Sequence, residues 1–121
     1  MDEKRYRIAA ASTDNICVNT HFGRAVNFYI ADVDVDGKIY PIEARKVSPI
    51  CDRGQHDDNE LKTAVEALSD CDVVLAARIG YGASEELKAH GILALEVQDF
   101  ISEAIEKVII YLNRRTGLPL Q

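Results

Sequence analysis

The sequence predicts an α/β domain built on a mixed five-stranded sheet with helices on its faces. Three observations predict it: an opening run of small apolar residues, two β-rich runs joined through Asp36-Gly37, and then helical and strand patterns in alternation. From Tyr6 to Ser12 the residues are apolar and small, which suits a central strand whose side chains cannot be large on both faces. Residues 26–34 and 38–47 flank the Asp-Gly pair, whose tolerance of positive φ favours a tight hairpin turn. Pro41 has no amide donor, so the second run belongs at a sheet edge or a bulge.

Beyond a polar loop, SPICDRGQHDD, a helix is predicted from Asp57, with Glu60 as its capping-box partner and Leu61, Ala64, Val65 and Leu68 on one face. DVVLAA at 72–77 reads as a parallel strand covered on both sides, leading into the turn RIGYGAS. A second helix is expected from Ser84 to His90, stopped by Gly91, and ILALEV at 92–97 reads as another buried strand. Asp99 is positioned to cap the last helix, whose buried stripe is Ile101, Ile105, Val108, Ile109 and Leu112. Right-handed crossovers then place the strands at 72–77 and 92–97 parallel to the first. The chain reads as one domain over 1–121, with a core at about 6–113 and a frayed tail over 114–121.

Composition narrows the function classes. The 121 residues are 47% hydrophobic and 28% charged, with a net charge of -6, and the basic residues are scattered. That balance argues against general nucleic-acid binding, which depends on Lys and Arg neutralising phosphates. The start, MDEKRYRIAAAS, lacks the apolar core of a signal peptide, and no apolar run approaches a membrane span. The expectation is a cytoplasmic protein with neither membrane nor nucleic-acid partners. Cys17, Cys51 and Cys71 are an odd number at wide spacing, a pattern expected of thiols in a reducing compartment.

Two loops concentrate chemistry, residues 13–24 (TDNICVNTHFGR) and 48–58 (SPICDRGQHDD). His21 follows Asn19-Thr20 and precedes Phe22-Gly23, so its imidazole, a good iron ligand, projects from a turn expected to need glycine's freedom. The alternative is a histidine bonded to nearby backbone. Cys51 lies in a polar loop with Arg53 and His56, an environment that lowers a thiol pKa, although C-x4-H alone lacks the second pair of a zinc site. Cys17 and Cys71 sit beside apolar residues and read as packing groups. Asp32, Asp34 and Asp36 alternate on the hairpin, which predicts a solvent-facing carboxylate row serving solubility. Arg78–Gly82 ends a strand and opens a helix, where amides receive anions, but it matches neither a P-loop nor a dinucleotide fingerprint. No catalytic triad signature or acid/base carboxylate pair is apparent.

Four segments carry a family resemblance: RIAAAS, VNTHFGRAVNFYI, EARKVSPIC and LSDCDVVLAARIGYGASEELKAHGI, which together run from about Arg7 to about Leu112. HFGRA combined with the distant DCDVVLAARIG resembles the dinitrogenase iron-molybdenum cofactor biosynthesis family, which includes NifX, NifY and the carboxy-terminal domain of NifB. The resemblance implies a ribonuclease-H-like fold that holds an iron-sulfur or iron-molybdenum cluster during metallocluster assembly for nitrogen fixation, without performing the chemistry. It makes His21 the leading cluster contact and Cys51 the next, both as metal ligands, with His56, Asn19 and Arg24 as further cofactor-binding residues. It implies cluster donor and acceptor proteins as partners. The chain lacks the radical S-adenosylmethionine portion of full-length NifB and its C-x3-C-x2-C motif, so the synthetic activity does not carry over. Two other classes stand beside this reading: a regulatory module binding a protein or an anion through Arg78–Gly82, and a ribonuclease-H-like nuclease. The nuclease needs converging carboxylates, whereas the first strand reads Ile8-Ala9-Ala10-Ala11.

Overall fold

Ala9, Ala10 and Ala11 have side chains small enough for helices to close over both faces of their strand, and β1 (Lys4–Ala11) lies at the centre of the sheet. The computed structural model describes residues 4–47 and 58–116. Strands β2 (Asn27–Asp34), β3 (Ile39–Lys46), β4 (Val73–Ala76) and β5 (Leu93–Glu96) complete a five-stranded sheet of order β3-β2-β1-β4-β5. β1 and β2, and β2 and β3, pair antiparallel. β4 pairs parallel to β1, and β5 parallel to β4, as the sequence predicts.

Alternation along β1 sorts the core into two layers. Ala9 and Ala11 face Val65 and Leu68 of α1 (Asp58–Glu66 and the turn after it) and Leu87 of α2 (Tyr81–Ala89), while Ile8 and Ala10 face Ile101, Ile105, Val108 and Ile109 of α3 (Ile101–Thr116). Among the described residues no helix is long and apolar enough to cross a membrane.

The hairpin turns where the two runs leave it, over residues 35–37. Asp34 N–H donates to the Lys38 carbonyl at 3.0 Å across Val35-Asp36-Gly37, and Gly37 alone of these takes a positive φ, 84°. Pro41 sits on the edge strand beside a register shift between Ile30 and Ala31, so edge and bulge coincide.

The acidic row is not a solvent face. Asp32 and Asp34 are 2% and 0% exposed, and each is consumed by structure. Asp32 takes a two-pronged bond from Arg7, Nε to Oδ1 at 2.7 Å and Nη2 to Oδ2 at 3.0 Å. Asp34 accepts from the Asp36 and Lys38 amides and the Tyr40 hydroxyl. Burial raises its pKa, but these donors outweigh that and hold it below the usual carboxylate range. Asp36 is exposed, as expected.

Other boundaries shift as well. α2 starts at Tyr81 rather than Ser84, because Gly80 takes the extended N-cap conformation and its carbonyl receives Ser84 N–H at 2.9 Å. Gly91, at φ 75°, ends it as predicted. Asp99 lies one residue before the cap of α3: its Oδ1 accepts from Phe100 N, while the Phe100 carbonyl receives Ala104 N–H. α3 runs through Thr116, past the expected core boundary, and the rest of the predicted tail lies outside the described residues, as does the predicted cap Asp57.

Candidate functional site

Parallel strands β1 and β4 end side by side at Ala11 and Ala76, with β5 ending next to them at Glu96, and open sheets of this kind place sites beyond such strand ends. The segment 16–22 is laid across that edge by backbone bonds to each neighbour. Asn19 N donates to the Ala11 carbonyl, Ala77 N to the Thr20 carbonyl, Phe22 N to the Arg78 carbonyl, Val18 N to the Asp99 carbonyl and Ile101 N to the Ile16 carbonyl. Isolated bridges pair Cys17 with Phe100 and His21 with Arg78.

From Cys17 to Phe22 the segment alternates as an extended chain does. Val18 and Phe22 are buried, while Asn19 and His21 are exposed and Cys17 is half-buried. Phe22 anchors the segment by tilted packing on Phe28, with ring centroids 5.8 Å apart. The outward face lines a pocket of about 550 Å³ whose walls include Cys17, Asn19, His21, Ala77, Asp99 and Phe100.

Loop 12–17 is braced from below. Asp14 Oδ1 accepts the amides of Cys17 at 3.0 Å and Ile16 at 2.9 Å, together with the Ser12 hydroxyl at 3.0 Å. The Cys17 amide, then that of Ile16, holds the Asp14 carboxyl below the usual carboxylate range. Asn15 takes φ 60°, a conformation that asparagine tolerates, and its Oδ1 receives a bond from buried Asn27 at 2.8 Å. Lys46 in turn donates to Asn27 Oδ1 at 2.8 Å.

His21 stands at the N-terminal side of a 3-10 turn, Phe22–Arg24, with its own backbone extended at φ -67° and ψ 140°. Gly23 is not among the described glycines with positive φ, so the short turn needs no left-handed residue, contrary to expectation. Asn19 lines the pocket but also organises the loop, accepting from Thr13 N and Thr20 Oγ1 and donating to Thr13 Oγ1. Arg24 is exposed at the end of the 3-10 turn and is not among the pocket's lining residues. Cys51 and His56 lie outside the described residues.

Sequence reasoning assigned Cys17 to packing, and the structure corrects this: it shares the pocket with His21. Its signal was the alternation Cys17, Asn19, His21 against Val18 and Phe22. Cys71 is the packing cysteine, 4% exposed, and burial pushes its thiol up to about 12. Asp99 and Phe100, reached across the sheet edge, carried no local signal. The Arg78–Gly82 turn has part of its donor capacity filled from within, because Ile79 N–H is bound by the Glu96 carboxylate at 2.8 Å. Among the described residues no three His, Cys, Asp or Glu side chains converge as a metal site.

Comparison with known proteins identifies what carries this architecture. The model of the family described as dinitrogenase iron-molybdenum cofactor matches residues 4–110. The chain is 33% identical over 104 residues to the FeMo cofactor biosynthesis protein NifB of Frankia alni, which covers 84% of this chain and 20% of that protein. It thus spans about a fifth of the length of such NifB relatives. It is 31% identical over 116 residues to protein NifX of Rhodobacter capsulatus, covering 92% of this chain and 72% of that one. The fold is shared with PH0822, at a TM-score of 0.67 and 23% identity over 87% of this chain and 90% of the other. It is shared too with the apo orange protein of Desulfovibrio gigas, at a TM-score of 0.61 and 19% identity over 100% and 96%. With nearly all of its described residues matched by that family model, the chain belongs to the dinitrogenase iron-molybdenum cofactor family.

Proposed function

We propose that this chain binds and carries, or protects, an iron-sulfur or iron-molybdenum cluster precursor during metallocluster assembly, with His21 as its leading metal contact. The observation that carries the reading is the pinned segment at the strand ends, which presents an exposed imidazole to an open pocket on a backbone already committed to hydrogen bonds. Binding to such a preformed edge costs little further ordering. The donor chemistry fits the cargo, since imidazole and thiolate both serve iron.

Cys51 is the second metal ligand in this reading, and His56, Asn19 and Arg24 are further contacts, each resting on the family resemblance. The role is non-catalytic, within one cofactor-binding domain of the cytoplasm, and the partners are the proteins that donate and accept the cluster. Neither nucleic acid nor membrane is a partner. Strand order β3-β2-β1-β4-β5, with β1 antiparallel to β2 and parallel to β4, supports a ribonuclease-H-like description of the fold.

The test is anaerobic reconstitution of the protein with iron and sulfide, or with isolated cofactor, followed by metal analysis after desalting. Stoichiometric retention that His21→Ala abolishes is expected. Equal retention by the parent and a folded His21→Ala variant would remove His21 from the site, and no retention by the parent would remove the carrier reading.

A further inference from the structure

We propose that Cys17 is a thiolate ligand of the cargo, bound to a different metal atom from the one that His21 meets. This rests on the cluster-carrier reading and deepens it. The two side chains lie on one face of one extended segment and line one pocket, with Asn19 between them. Each is fixed to a separate neighbour, Cys17 by its bridge to Phe100 and His21 by its bridge to Arg78.

That geometry decides the kind of ligand. Four residues of extended chain advance up to about 13 Å, at roughly 3.3 Å each. Side chains on such a chain stand roughly perpendicular to it, so the two donors rise from separated points of the edge. Among the described residues no three His, Cys, Asp or Glu side chains converge here, so a single ion at this edge lacks a closed ligand set. A polynuclear cluster presents metal atoms at separated points of its surface and meets both.

The cysteine is also held ready in a way that packing alone does not require. Its amide is bound by Asp14 Oδ1 at 3.0 Å, and its two neighbours are tied to the β5–α3 connection through Val18 N to the Asp99 carbonyl and Ile101 N to the Ile16 carbonyl. Its side chain is half-buried at the pocket wall, whereas Cys71 is closed in the core. On ligation the Sγ–H bond breaks, its proton leaves to solvent and the sulfur lone pair forms the metal bond, with no change of oxidation state. Phe100, 51% exposed beside it, provides an apolar wall against the sulfide surface of the cargo.

The experiment uses the full chain loaded anaerobically with ferrous iron and sulfide, in the parent, Cys17→Ser, Cys17→Ala and His21→Ala forms, with circular dichroism confirming the fold of each. Retained iron and sulfide are measured after desalting, and the alkylation rate of Cys17 is measured by mass spectrometry before and after loading. The expected result is protection of Cys17 on loading and at least about a tenfold loss of retention in both Cys17 variants, the loss seen even for groups one step outside a metal's ligands. A parent that retains cluster while Cys17 stays freely alkylated, with undiminished retention in Cys17→Ser and Cys17→Ala, overturns the Cys17 assignment and leaves the carrier reading standing. A parent that retains no cluster overturns both. Cobalt(II) added alone should bind the parent no more tightly than Cys17→Ser; a cobalt spectrum showing thiolate and imidazole on one ion overturns the two-atom arrangement.

Discussion

Replacing Arg7 with Met should be among the most damaging single changes in the sheet, although Arg7 lies in the half of β1 away from the candidate site. The substitution keeps an unbranched apolar stem and deletes a guanidinium that makes three hydrogen bonds to two carboxylates. Asp32, 2% exposed, loses both prongs of its bond, and Asp70 loses the 2.9 Å contact with Nη1. Asp70 keeps Arg45, at 2.7 Å and 3.0 Å, and is held below the usual carboxylate range by Arg45 first and Arg7 second. The damage therefore centres on Asp32, a charge left in the interior beside Ile30. Breaking a buried pair in this way costs about 3–5 kcal/mol, and the 26% exposure of Arg7 points to the lower end. Against a total stability of about 5–15 kcal/mol this is large, and it corresponds to a Tm decrease on the order of 10–20 °C. Urea unfolding of the parent, Arg7→Met, Asp32→Leu and the double variant measures it. The double variant should recover most of the loss, because no unpaired charge remains. A loss below about 1 kcal/mol in Arg7→Met, or a double variant worse than that single one, would refute the account of Asp32 as a buried charge dependent on Arg7.

Three further outcomes are expected. His21→Ala should change stability by about 0.5 kcal/mol or less, since the side chain is exposed, so urea midpoints should coincide with the parent's even where cluster retention is lost; a large midpoint shift would make His21 a folding residue. Cys71 should resist alkylation at neutral pH while Cys17 reacts. Because burial first, and then Asp70, raises the Cys71 thiol to about 12, its contribution is fully present below the free-thiol value and is lost as pH rises toward 12; the stability of the parent should fall more steeply than that of Cys71→Ala, by about 1.4 kcal/mol for each pH unit crossed between them. Equal alkaline slopes would contradict this. Asp14, whose carboxyl the Cys17 and Ile16 amides hold down, should keep loop 12–17 ordered above the ordinary carboxylate range and release it as pH falls through its lowered value; amide NMR shifts of Ile16 and Cys17 that titrate at or above about 3.9 would refute that.

Local pattern made the strands and helices legible, because the signals that form them are local. Ala9-Ala10-Ala11 announced a centre strand, Pro41 an edge, and Ile101, Ile105, Val108 and Ile109 one face of α3. Contacts across the sheet were not legible. Period-two alternation places Asp32 and Asp34 on one face but does not say whether that face meets water; only the register that brings Arg7 opposite Asp32 does. Cys17 failed for the same reason. Ile16 and Val18 are apolar neighbours in sequence, but Val18 points inward and Ile16 is 57% exposed, so the cysteine between them was read from the wrong company. The glycine and small polar residues around His21 are a local mark of a turn, but only the family resemblance singled it out as the leading contact.

A carrier has two conflicting requirements, a site rigid enough to hold its cargo and open enough to surrender it, and the strand-end edge bears on both. Rigidity comes from the backbone: Asn19, Thr20, Phe22 and Val18 are each bonded to a strand end or to the connection leading into α3, so the donors above them need little ordering when cargo arrives. Openness comes from the pocket, about 550 Å³ with Asn19 and His21 exposed at its wall. On the proposed reading, protein donors meet the cluster from one side and leave its remaining metal atoms facing outward, where an accepting protein can supply its own ligands before the carrier's are lost. Protons compete with metal for both imidazole and thiolate, so acidification should loosen the cargo without unfolding the chain. An edge that enclosed the cluster with three or four converging ligands would hold it more tightly and would have to open before any transfer began.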